Sequence, residues 1–369
     1  TARSIASTSA AATMAAVPTE TPIPTPTDVP FYLTASVWAE EPRVPIINYH
    51  QFAPNTSEKS TDHKIRQEDF IAGMDALNQA GFTLIHLEDW IKGDLYVPEG
   101  RRPLVFTMDD LFYNNQIRLD ENGEPRPETG LALAWEYGQR HPEFGFKWAL
   151  FSNLGDKWYA EGDPEGKWKE DLTETIIWCL EHDARVYNHT YQHIRMDRSD
   201  AQGVRWELEQ NDLFLRDLLL KAGREDLIDG LDNMLAIPFG YWPQGSAYNA
   251  MVNYTTPEGK PMLAAFDIDW PIRIQFMAPP YSENFDPMRI PRIAMPPEAV
   301  TYLVEHQNEF PTMANCQVGP LDEEQAANLE VVGDAIQASI ASGSCPAGGY
   351  VIEGKNFDAR AGQSPHWIQ

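Results

Sequence analysis

Two stretches of this chain hold side chains suited to metal and proton chemistry. In VFTMDDLF, Val105 to Phe112, two carboxylates stand side by side at the end of an apolar run. Neighbours on a strand point to opposite faces, so Asp109 and Asp110 are free to divide two tasks, one binding a cation and the other moving protons. A pair of solvated loop aspartates, or a helix N-cap, explains an isolated Asp-Asp as well. In NHTYQH, Asn188 to His193, two histidines are four apart. A single helical turn would bring His189 and His193 to one side, as two nitrogen donors to one divalent ion require. Asp110, from the tip of another strand, supplies the third donor of an Asp-His-His set with positions left open for water and substrate. A lone HxxxH is more often a surface or structural pair. Its conjunction with Asp-Asp is what gives it weight.

Those tips must be brought together by the elements beneath them. Apolar runs recur in VPIINYH, FTLIHL, PLVFTM, FKWALFSN, ARVYNH, NMLAIPFG and LAAFDI, most of them separated by segments of helical periodicity. In RQEDFIAGMDALNQAG, Phe70, Ile71, Met74 and Leu77 recur at helical spacing and Gly81 ends the helix. Similarly, Leu208, Leu215 and Leu219 mark the core face of a helix that stops near Gly223. About seven such units predict an α/β fold with parallel strands, a (β/α) barrel rather than a doubly wound open sheet. On that architecture Asp109, Asp110, Asn153, His189, Pro238, Gly240, Asp267, Asp269 and Trp270 all fall at strand ends of one face.

Composition narrows the partners. The 369 residues include 55 acidic and 28 basic side chains, a formal charge of −27, which repels phosphate backbones and anionic lipid surfaces. An apolar fraction of 43% is that of a globular protein with no membrane span. The first 30 or so residues are instead rich in Ala, Ser, Thr and Pro and cannot bury a core. They read as a tether, expected to place the protein outside the cell, secreted or tethered at the cell surface, and to pack against its own domain or a neighbouring subunit. Cys179 lies on a helical stripe and is expected to be buried. Cys316 and Cys345 are the pair expected to bridge in an exported protein. The division expected is a tether over 1–40, a barrel over 41–310, and an extension over 311–369 packed on the barrel.

TMDD, HTYQH and IPFG, in that order, resemble the first three motifs of the polysaccharide deacetylase family, carbohydrate esterase family four. VPIINYHQF, AGFTLIHLEDW and DPMRIPRI resemble the opening, following and closing segments of its secreted subgroup, so the resemblance covers about residues 44 to 300. It implies a distorted (β/α)7 barrel, Asp109 as catalytic base, and Asp110, His189 and His193 as ligands of a divalent metal, Zn2+ first. The activity implied is removal of N- or O-linked acetyl groups from an extracellular polysaccharide or oligosaccharide. Thr190 would orient the loop between the histidines through its hydroxyl.

The chain departs from the family pattern in three places. Leu111 follows the aspartates where glycine is usual, Ala236 replaces an arginine that fixes the base, and no Leu-x-His segment supplies a general acid. Arg292 is the expected substitute for that arginine, and His50 for the acid, although a histidine merely hydrogen-bonded beneath the barrel mouth fits His50 as well. Of eleven tryptophans, Trp148, Trp158, Trp168, Trp242 and Trp270 lie near strand ends or loops, and indole faces stack on sugar rings. Trp242, Trp270, Tyr241 and Asn153 are the substrate-binding candidates, Asn153 serving equally as a loop cap. The competing reading is a non-catalytic surface or assembly protein on the same barrel, binding glycan without hydrolysing it. A glycosidase is more distant, since its two acids are not adjacent in sequence.

Overall fold

The computed structural model describes residues 31–57, 59–160, 166–268, 285–294 and 296–368. The expected tether up to residue 30, Asp269 and Trp270 lie outside the described residues.

Each of the seven apolar runs forms a strand: Ile46–Tyr49, Phe82–Leu84, Arg102–Leu111, Trp148–Ser152, Ala184–Asn188, Met234–Ala236 and Ala264–Phe266. All seven belong to one sheet, and every pairing within it is parallel. Helices connect them because parallel neighbours require a crossover. Helix Gln67–Gln79 buries Phe70, Met74 and Leu77 as the periodicity predicts, and Gly81 ends the turn at φ +83°, a conformation L side chains rarely adopt. Helix Trp168–Glu181 buries Cys179 as a free thiol.

The sheet curls so far that a single short segment joins its edges. Ile290 exchanges backbone hydrogen bonds with the last strand, donating to the Ala265 carbonyl and accepting from Asp267 N–H, at 3.0 and 2.8 Å. Ile293 does the same with the first strand, donating to Ile46 at 2.7 Å and accepting from Asn48 at 3.0 Å. The parallel bridges Phe266–Ile290 and Ile47–Ile293 thus close a distorted (β/α) barrel. Closure leaves Arg292, between the two bridges, fully buried.

The ends of the chain form a second layer. Strands Ala314–Leu321, Phe31–Trp38, Gly349–Ile352, Lys355–Asp358 and His366–Ile368 lie in that order in an antiparallel sheet. The expected boundary of the tether at residue 40 is therefore corrected: Phe31–Trp38 is an interior strand, and Ala35, Val37 and Trp38 are buried. The run escapes a composition-based reading because its burial is created by strands almost 300 residues away. Helix Leu329–Ala341 covers one face with Val332 and Ile336, and Cys316 and Cys345 are bonded, their Cα atoms 5.6 Å apart. Trp38, Met313 and Val351 join Trp90 and Leu87 in a shared core, which docks the sheet on the barrel. Among the described residues no helix is long and apolar enough to cross a membrane.

Candidate metal centre

Strand Arg102–Leu111 does not end regularly. Its register with Trp148–Ser152 slips between Met108 and Leu111, and Asp110 has φ +60°. A bulge of this kind re-aims side chains, and here it overturns the expectation that the two aspartates face opposite ways. Asp109 stays inside the barrel, 1% exposed, and Asp110 turns at its mouth beside the histidines.

Strand Ala184–Asn188 delivers the imidazoles. They are not on a helix: the segment after Asn188 is an irregular turn, with Thr190 at φ +61° and His193 at φ +51°. Nε2 of His189 lies 3.5 Å, and Nε2 of His193 3.2 Å, from Oδ1 of Asp110. Donors about 2.0–2.1 Å from a tetrahedral cation stand about 3.4 Å apart, the spacing each histidine nitrogen keeps from Asp110, and all three residues place a ligand atom within 4.8 Å of the others. That same Asp110 Oδ1 is buried without a hydrogen bond, a costly arrangement unless a cation satisfies it. Nδ1 of His189 lies 2.9 Å from the Ala236 carbonyl, an acceptor only, which keeps a proton on Nδ1 and leaves Nε2 as the nitrogen facing Asp110. The backbone of Ala236 therefore orients the His189 ring. The Thr190 hydroxyl, fully buried, accepts from Ile194 N–H at 3.4 Å and ties the turn to itself.

Arg292 reaches Asp109 from the closing segment. Its two terminal nitrogens donate to the two carboxylate oxygens, each at 2.7 Å, and Nε donates to the Asp267 carbonyl. Burial opposes ionisation of Asp109, but Arg292, aided by His189, outweighs it and holds the carboxyl well below the usual range. Asp110 shows the same contest more mildly, with burial opposed by His189 and His193, and is also lowered. Burial disfavours a charge on His189, and the two aspartates reverse that, raising it. His193, desolvated and facing charged His189, is lowered to about 4. The two aspartates thus favour a proton on His189, while burial and His189 disfavour one on His193.

Residues the sequence reading missed complete the surroundings of Asp109. Asn48, buried in the first strand, donates to Asp109 at 3.1 Å and accepts from Arg292 and from the Thr107 hydroxyl. Gln116 spans the carbonyls of His50 and Asp109 with its amide. An Asn inside the apolar run IINYH was the available signal, since a buried amide must find partners.

The remaining candidates separate. His50 lies beneath the mouth with Nδ1 buried and unpartnered, its ring 5.0 Å from that of His63, and burial lowers its pKa. Asn153 is 2% exposed and donates to Asp156 at 2.8 Å, the loop-capping alternative. Trp242 donates to Asp267 at 2.7 Å and has the Arg289 guanidinium 5.0 Å from its ring, so that face is already covered. Trp148 is a core residue, 2% exposed. Tyr241 is 44% exposed with Arg195 over its ring, and Phe239, unremarked in the sequence, is 56% exposed with its ring 4.4 Å from that of His193.

No family model matches the chain, and no curated protein matches it. Solved structures do. The deacetylase PplD of Streptococcus pyogenes superposes with a TM-score of 0.47 at 13% identity, covering 71% of this chain and 98% of that one. The polysaccharide deacetylase BC0361 of Bacillus cereus gives 0.46 at 16% identity, covering 72% and 69%. A de-N-acetylase of Aggregatibacter actinomycetemcomitans gives 0.41 at 11% identity, covering 71% and 99%.

Proposed function

We propose that this protein is a metal-dependent hydrolase that removes acetyl groups, N- or O-linked, from an extracellular polysaccharide. The observation that carries the reading is the meeting of Asp110, His189 and His193 beside a second carboxylate clamped by Arg292. A divalent cation, Zn2+ by its nitrogen-rich donor set, supplies a Lewis acid for the acetyl carbonyl and lowers the pKa of water. The chain's own residues do the rest. Asp109, held in one orientation by Arg292 and Asn48, accepts the proton of the attacking water; its strongly acidic conjugate acid gives that proton up again readily. His50, kept neutral by burial, would take up the proton that Asp109 releases and pass it to the leaving amine or alcohol. Phe239 presents an aromatic surface at the mouth for a sugar ring, and Tyr241 the face that Arg195 leaves open. The Cys316–Cys345 bond fits an exported protein, with the Pro- and Thr-rich residues before Phe31 as its tether.

The deciding experiment is acetate release from acetylated glucosamine oligomers and O-acetylated glycans by zinc-loaded, chelated and Asp110→Ala protein. Release by the loaded protein alone is expected. Glycan binding with no release under any condition would overturn hydrolysis and leave the non-catalytic surface protein standing.

A further inference from the structure

Helix Ala201–Lys221 carries on its buried side a row of polar residues for which its apolar stripe gives no reason. Glu207, Asn211 and Asp212 are 3%, 1% and 7% exposed. Asn211 and Glu207 end on loops at the barrel mouth, and Asp212 on the last residue of a barrel strand. Asn211 accepts from Leu154 N–H at 2.9 Å. Asp212 accepts from the Tyr254 hydroxyl and from the Asn188 amide, whose carbonyl oxygen in turn accepts from Thr190 N–H at 2.8 Å. Glu207 accepts from Gln192 N–H at 2.7 Å, and the N–H of Tyr191 also faces its carboxylate.

Tyr191 and Gln192 lie between the two histidines. Their turn holds Thr190, a β-branched residue, and His193 at positive φ, where non-glycine residues are strained. Such a turn persists only if its surroundings over-determine it, and the carboxylate facing its two central amides is the strongest acceptor in reach.

We propose that Glu207 is a positioning residue of the metal centre, bracing the turn Thr190–His193 so that both imidazoles face Asp110. The inference rests on the metal reading above. Glu207→Met keeps the length of the side chain and removes the acceptor; Glu207→Gln keeps an acceptor without the charge; Glu207→Asp shortens the reach by one methylene. In the metal-free protein, exchange of the Tyr191 and Gln192 amides is expected to quicken about ten-fold or more in Glu207→Met. Zinc affinity, read by competition with a chromophoric chelator, is expected to fall about 10–100-fold in the same variant. Glu207→Gln stays within about three-fold of the parent on both readings, and Glu207→Asp, the milder disruption should the methionine variant not fold, moves both in the methionine direction. Zinc binding and exchange unchanged in Glu207→Met, or Glu207→Gln as impaired as Glu207→Met, overturn the brace and leave the metal reading intact. A parent protein that binds no zinc but whose turn loosens on losing the acceptor overturns the metal reading and leaves the brace.

Discussion

The proton and the cation compete for one nitrogen at the residue scale. His189 has its pKa raised in the folded metal-free protein, so its contribution to stability is fully present below an unfolded value of about 6.5 and is lost as pH rises through the higher folded one. Zinc needs the same imidazole neutral, so its binding should expel about one proton near pH 6.5, a release that calorimetry in two buffers of different ionisation enthalpy reads directly. Affinity should weaken steadily on acidification from there, and His189→Gln should abolish the proton release. Asp109 works in the opposite sense: its lowered carboxyl stabilises the fold above about pH 4, and that stability is lost as pH falls through the depressed folded value. Replacing Arg292 by Met would strand a fully buried carboxylate. A loss of about 3–5 kcal/mol in urea unfolding at pH 7 is expected, shrinking at low pH as Asp109 becomes neutral. An unchanged midpoint would mean the pair contributes no net stability.

At the scale of elements, the site depends on loops packed so closely that a methyl group matters. Gly155 donates to the Tyr191 carbonyl at 2.7 Å, and a Cβ there would sit 2.5 Å from that same oxygen. The histidine turn must then move or the loop after strand Trp148–Ser152 must retreat. Gly155→Ala is expected to cost about 1–3 kcal/mol and to weaken zinc binding, with helix content unchanged by circular dichroism. The segment Ile290–Ile293 plays a different part: it is short, has no strand of its own, and yet joins the two edges of the sheet while delivering Arg292. Ile293, 1% exposed, bridges the first strand. Ile293→Ala should lose about 2–4 kcal/mol and reduce activity with it, because barrel closure and the orientation of the base share one element.

The whole molecule ties its two ends into one sheet. Phe31–Trp38 lies between Ala314–Leu321 and Gly349–Ile352, so removing the first 38 residues should unfold the antiparallel layer, whereas removing the first 30 leaves its hydrogen bonds intact. Limited proteolysis of the two truncations distinguishes them. Within that layer the disulfide joins residues 29 apart in sequence, and reducing it should cost about 3–4 kcal/mol on a loop-closure estimate. A charge of −27 spread over this fold also repels itself. Raising salt from about 0.01 to 0.5 M should therefore raise the melting temperature, as screening shortens the range of that repulsion.

Local chemistry determined a good deal. Seven apolar runs were enough to specify seven parallel strands, because burial on both faces leaves a strand no polar alternation, and the described residues at their tips followed to one end of the barrel. The cysteine pair and the helix stripes were legible for similar reasons of burial and spacing. Tertiary structure alone decided which tip residues meet. A bulge turned Asp110 toward the histidines; a strained turn, not a helix, set their spacing; the carbonyl of Ala236 fixed a proton on His189 Nδ1; and Asp109 received its arginine from Arg292, 183 residues along the chain. It also drew Phe31–Trp38 out of an apparent tether and occupied Trp242 and Asn153 with protein partners. Spacing along a chain reports which face a side chain takes, whereas ligand geometry depends on backbone irregularities and long-range contacts that no local pattern encodes.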